Sequence, residues 1–425
     1  MATTALRREV ELISPTRQRV MGIVFLMMGL GIWYLFTRSV APDAVTKFGF
    51  NLSVANATKV PDVFLPTLTT LYVLVGLSLG MGILQLALPG GFKRYTNWIL
   101  GLEAGFFIFA FLTWAAASKS LNLAGLLNTT LLKAVPLTLG ALSGVLCERA
   151  GVVNIAIEGM MLMSAMVSAL VGSLTHNLWI GLAAGIASAA LLGLVHAVMS
   201  IKYRTNQIIS GTAINIFSTG MTSFLSAKYL QVYQEYNNPG VFPSWPIPGL
   251  IKIPVLGPIL FGNNLFVYAL FFFLIVIQVA LFFTRWGLRL RAVGEHPKAA
   301  DTLGINVFRT RYMAVILGSM MAGLAGAYFT LGSVGRFDEV MTAGRGFISL
   351  AAMIFGNWTP IGSFGAGLLF GLADSLASRL AILGVQIPSQ FLLMAPYVAT
   401  MVVLAGVVGR GQMPAADGTA YEKEG

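Results

Sequence analysis

Disulfides, thiolate metal clusters and histidine metal centres are all excluded by residues this sequence barely has. Its single cysteine, Cys147, supports neither a disulfide framework nor a thiolate cage for zinc or iron–sulfur. The three histidines, His176, His196 and His296, lie far apart and outside any HExxH spacing, so no metal site is expected. There is no GxxxxGK[ST] phosphate loop, which excludes ATP binding by that route, and no nucleophile–base constellation, so no catalytic residue is assigned. Charge is also scarce: 10% of the 425 residues are charged, against about 25% in a soluble domain.

What fills the chain instead is apolar. Hydrophobic residues make up 56%, there are 47 glycines, and the mean hydropathy is +0.80. A net charge of +11 would suggest a nucleic-acid partner in a soluble protein. Beside this hydrophobicity it implies an all-α polytopic membrane protein with its positive charge in loops, and no nucleic acid as partner.

Lipid offers no hydrogen-bond partner to the backbone, so each crossing needs about 20 mostly apolar helical residues. Candidate spans are residues 20–36, 63–88, 98–117, 123–146, 152–174, 178–200, 207–230, 265–284, 312–332, 347–358, 362–378 and 391–408. Segment 347–358 is too short for an ordinary span. It is either a broken helix, giving twelve crossings, or a re-entrant segment, giving eleven and an external C-terminus.

The basic residues set the orientation. With twelve crossings, 17 of the 27 fall on the side of the N-terminal tail, among them Arg7, Arg8, Arg149, Arg204, Arg289 and Arg309. Both termini are therefore expected in the cytoplasm, with residues 1–19 a cytoplasmic tail in the inner membrane's inward face. Residues 20–36 lack a small-residue cleavage site and read as a retained anchor. Loop 231–262 carries six prolines and is expected to be external and non-helical. Residues 411–425 are polar and expected to be disordered.

Small residues four apart (Gly76/Gly80, Gly181/Gly185, Gly318/Ala322, Gly367/Gly371) predict close helix packing and say nothing about substrate. Asn154 and Glu158 stand at i, i+4 in an apolar run, which predicts one helix face. A carboxylate at that depth either lines a pathway or braces Arg149 or a helix end. A second irregular segment, residues 344–362, is bounded by glycines and closed by Pro360. Paired interrupted segments in two halves of a chain point to a translocation site. Pathway candidates are therefore Asn154, Glu158, Asn215, Asn357 and Asp374, although Asp374 is also placed to pair with Arg379. His196 reads as a packing histidine, and Glu103 and Lys133 are candidates to neutralise each other. In loop 285–311, Pro297, Ala299 and Ala300 favour a short helix that Gly304 ends, suited to a groove on a partner.

Three of these runs carry a family resemblance: Pro136 to Leu162, Arg291 to Ile305, and Gly346 to Gly362, with Pro396 and Tyr397. Over residues 121–408 the chain resembles the permease subunits of ATP-binding-cassette importers, in the branch serving ribose-type sugars, nucleosides and branched-chain amino acids. The resemblance is most like the nucleoside and simple-sugar permeases. It implies a second permease, identical or homologous, an ATPase subunit that binds ATP and Mg, and an extracytoplasmic substrate-binding lipoprotein. It also makes Gly294, Glu295, Pro297, Ala299, Ala300 and Gly304 a coupling helix that docks on the ATPase. The chain itself would hold no cofactor. Residues 20–117 add three spans outside this shared core. Nucleosides are the leading substrate, ribose-like sugars the alternative. A different class, an ion-coupled secondary transporter using Glu158 or Asp374, stays open at this stage.

Overall fold

The computed structural model describes residues 14–55, 57–384, 394 and 412–423. Among them are fourteen α-helices, ten of them long and apolar enough to cross a membrane once their π-helical ends are included, so the chain is a multi-pass membrane protein. The chain divides into two compact units, one of residues 1–52, 59–125 and 379–387, the other of residues 53–58, 126–378 and 388–425. The expected span 391–408 lies outside the described residues.

The first unit contains α1 (Pro15–Ile32), α2 (Thr67–Ala87) and α3 (Thr96–Ala115). Ile32, Phe36, Leu71, Leu74, Val75 and Ala110 form its apolar centre. A small sheet, not anticipated from the sequence, joins these helices at one end. Strand β1 (Val45–Gly49) pairs antiparallel with β2 (Val63–Pro66) and parallel with β3 (Ser120–Asn122). It gives the backbone of the connecting loops internal partners. Glu103 is fully buried on α3, whereas Lys133 pairs with Asp374.

The second unit runs through α4 (Leu123–Glu148), α5 (Ile157–Thr175), α6 (Leu178–Ala197) and α7 (Gln207–Leu225). It continues with α8 (Leu256–Phe261), α9 (Leu265–Phe283), α10 (Arg285–Glu295), α11 (Pro297–Thr302), α12 (Val307–Ala327), α13 (Arg345–Phe355) and α14 (Pro360–Ile382). Helices α4, α5 and α12 are buried over most of their length, the other long ones over about a third. The proline-rich loop does hold a helix, α8. Pro258 is its third residue, where the amide has no intrahelical acceptor to lose.

Glycine sets the helix spacing. A methyl on Gly318 would sit 2.7 Å from the Ser143 carbonyl oxygen, and one on Gly371 2.6 Å from that of Thr130. Gly181, Gly185 and Gly367 are equally crowded, whereas nothing described lies within 4 Å of a methyl on Gly76 or Gly80. That last pair is not a packing seam among the described residues. The expected disordered tail also differs: Ala416, Asp417 and Tyr421 are buried against the second unit. Gly371→Ala is expected to lower the melting temperature of the purified protein, by the roughly 1–3 kcal/mol typical of overpacking. Gly76→Ala should leave it unchanged, and equal effects would refute the seam assignment.

Candidate functional site

Two breaks in the helical run of the second unit create the site. The first, residues 149–156, separates α4 from α5, and Gly151 makes its turn at φ +81°. Helix α5 starts only at Ile157, so Asn154 and Glu158 do not share a helix face as the i, i+4 spacing predicted. Asn154 is a turn former instead: its Oδ1 accepts from Ala156 N–H at 3.1 Å. Neighbouring helices satisfy the rest of the break. Val153 N–H donates to Gln207 Oε1 (2.7 Å), and the Val153 carbonyl lies 3.0 Å from His196 Nε2. Asn215 Nδ2 donates to the Ile155 carbonyl (2.9 Å), while its Oδ1 accepts from Gly159 N–H (2.7 Å). An unpaired backbone group here would cost a few kcal/mol.

The second break precedes α13. Asn237 grips Phe337 by both backbone groups, at 2.9 and 2.7 Å, beside the proline-rich loop. From there the chain passes through a non-helical stretch into α13, and then to Trp358. Arg149 holds that far end, donating to the Trp358 carbonyl (2.8 Å) and the Asn357 carbonyl (3.1 Å). The segment is a loop followed by a half-length helix. Its eleven residues span about 16 Å of a roughly 30 Å hydrocarbon layer. A helix of that length fits a broken crossing and a re-entrant segment alike.

Glu158 joins the two breaks. It is buried, and its Oε1 accepts from Thr342 Oγ1 (2.6 Å) and Gly344 N–H (2.9 Å), its Oε2 from Gly346 N–H (2.6 Å). The carboxylate therefore sits at the N-termini of both α5 and α13, whose dipoles favour negative charge. A methyl on Gly346 would lie 2.5 Å from the Glu158 backbone nitrogen, which accounts for the glycine there. The remaining candidates stand elsewhere. Asp374 pairs with Lys133 at 3.0 Å, and both side chains are partly exposed. Asn357, at φ +53°, belongs to the α13–α14 turn, where its Oδ1 accepts from Gln412 N–H (2.8 Å). Asn154, Glu158 and Asn215 are brought together; Asn357 and Asp374 are not.

The coupling-helix candidates lie against the first break. Pro297 opens α11, His296 Nδ1 accepts from Ala299 N–H (3.2 Å), and Gly304 ends the turn at φ +79°. Gly294 packs directly on the backbone of Arg149 and Gly151. Ala300 does not belong to the exposed face: it is buried with Val293, Val307 and Tyr421. The outward residues are Lys298, Ala299, Thr302 and Leu303, the last 81% exposed. Burial lowers the basicity of the Arg149 guanidinium, with Glu295 opposing that effect. Burial also pushes the Asp417 carboxyl up to about 6, against the pull of Glu148, the Gly418 N–H and Arg311. Thr342, Gln207, Trp358, Arg311 and Tyr421 gave no sequence signal, since each acts on a partner far along the chain.

Residues 126–408 match the family model described as "Branched-chain amino acid transport system / permease component". The chain is 42% identical over 305 residues to the guanosine ABC transporter permease protein of Bacillus subtilis, covering 69% of this chain and 95% of that one. It is 40% identical over 306 residues to the nucleoside ABC transporter permease protein of Lactococcus lactis, with the same coverage. A glucose ABC transporter permease protein of Haloferax volcanii is 24% identical over 271 residues, covering 58% and 67%. No solved structure matches.

Glu158→Gln turns one accepting oxygen into a donor that faces backbone or hydroxyl donors. A loss of about 1–3 kcal/mol of stability is expected, with faster amide exchange at Gly344 and Gly346; unchanged exchange there would refute the joint. For Asp417 the sign follows from a native value, about 6, above its ordinary 3.8. Its contribution to tail docking is full below the ordinary value and fades as pH rises through about 6. Tail amides should exchange more slowly at pH 5 than at pH 7.5, after correction for intrinsic rates, and Asp417→Asn should flatten that difference.

Proposed function

The chain belongs to the branched-chain amino acid transport system / permease component family, and on that premise we propose that it is the membrane-embedded permease of an ATP-binding-cassette importer for nucleosides. One observation carries the mechanism: the α10–α11 corner is seated on the same turn, residues 149–156, that supports both broken helices. An ATPase subunit, holding ATP and Mg, docks on the outward face of α11 through Lys298, Ala299 and Leu303. A second permease completes the pathway, and a substrate-binding lipoprotein delivers the nucleoside from outside.

Force applied to α11 has few soft elements to deform. Ala300 is buried in a cluster with Val293, Val307 and Tyr421, and Gly294 abuts the Arg149 backbone. The push therefore passes to Arg149, and through its bonds to Trp358 and Asn357 into the C-terminal end of α13. At the other end of α13 the Glu158 joint is polar, with three donors that exchange partners more readily than packed side chains repack. Rocking α13 about Glu158 opens or closes the path, so Glu158 acts as a gate joint, and selectivity rests mainly with the lipoprotein.

Nucleosides are favoured over ribose-like sugars by the two relatives at 40–42% identity over 95% of their length. The ion-coupled reading loses its carboxylates, since Glu158 is held by three donors and Asp374 by Lys133. The tail's attachment to the α10–α11 corner supports a cytoplasmic C-terminus beside the ATPase, in the inner membrane, and the positive-inside bias supports the same side for the N-terminus.

In proteoliposomes with the ATPase and binding protein, labelled guanosine uptake is expected to need ATP and to persist with ionophores present. Uptake that stops with the ion gradient and ignores ATP would overturn the reading. Ala299→Glu should cut uptake roughly tenfold without unfolding the permease. Ala300→Glu, by contrast, buries a charge and should destabilise the corner itself.

A further inference from the structure

Residues 412–423 run beneath the second unit and touch almost every element that meets at the α10–α11 corner. Gln412 N–H donates to Asn357 Oδ1 (2.8 Å) in the α13–α14 turn. Ala415 N–H reaches Glu295 Oε2 (3.2 Å), and Ala416 N–H donates to the Gly294 carbonyl (2.9 Å) at the end of α10. Arg311 of α12, almost fully buried, donates to the Thr419 carbonyl (2.8 Å). Tyr421 closes an apolar cluster with Val293, Ala300 and Val307, its ring 5.3 Å from that of Phe308. Glu422 then pairs with Arg204, in the turn before α7.

We propose that this tail is a coupling strut, with Tyr421 a positioning residue that sets the attitude of α11. The inference rests on the importer reading and extends it. Helix α11 has six residues and little stability of its own, and its inward residue, Ala300, contributes a single methyl to the cluster. The tyrosine ring is the largest buried side chain of that cluster. The same strand of tail binds the α10 terminus and the α13–α14 turn, so it ties the element that receives the push to the helix that must move. Without it, α11 yields under load and the ATPase closes with less movement of α13.

The test uses the full reconstituted transporter and reads guanosine taken up per ATP hydrolysed. Tyr421→Ala is expected to retain ATP hydrolysis and lower that ratio roughly fivefold or more, while Tyr421→Phe keeps it near the wild-type value. A purely structural role would lower hydrolysis and uptake together. That outcome, or an unchanged ratio in Tyr421→Ala, overturns the proposal. If Tyr421→Ala does not assemble, Ala416→Pro removes the single bond to the Gly294 carbonyl. It is expected to lower the same ratio, and an unchanged ratio again overturns the strut. Wild-type transporter without ATP-driven uptake would instead overturn the importer reading, which separates the two failures.

Discussion

Everything in this protein follows from the refusal of hydrocarbon to hydrogen-bond with the backbone. A chain that breaks its helices inside a packed bundle must bring partners for each buried N–H and C=O from its own side chains. Gln207, His196, Asn154 and Asn215 do this for the break before α5, and Glu158 with Asn237 for the break before α13. These polar residues in apolar helices serve first as substitutes for the missing helical ladder. Their functional consequence comes from where the substitution leaves a joint.

Between the joints the structure is held by close approach. Gly181, Gly185, Gly318, Gly367 and Gly371 let backbone and small side chains of neighbouring helices come within contact distances that a methyl would violate. Packing this tight has few intermediate positions, so displacement at one end is passed on as displacement at the other. The polar joints and the close-packed seams are thus complementary: seams transmit, and joints turn. Arg149 stands where both meet, with its backbone under Gly294 and its guanidinium on the Trp358 carbonyl.

The coupling end also shows how a surface helix of six residues keeps a defined position. Its inward Ala300 is buried in a cluster with Val293, Val307 and Tyr421, and Leu303, which caps its end, is exposed. A small alanine inside and a large leucine outside reverse the usual pattern of a surface helix, which fits an element built to be covered from both sides.

The sequence alone determined the class and the ten long apolar helices among the described residues, because each depends on local composition. It also located both interrupted segments, since glycine and proline act on their own backbone, and the short helix after Pro297 for the same reason. It misjudged what those segments touch. Glu158 faces Thr342, Gly344 and Gly346, some 184 to 188 positions away. Asp374 found Lys133, 241 positions away, and Ala300 turned inward beside a tail whose polar composition had suggested disorder. Such pairings join residues distant along the chain, and one sequence carries no record of which distant partners folding brings together. Local chemistry is written in the chain; the joints, the seams and the strut exist only once it is folded.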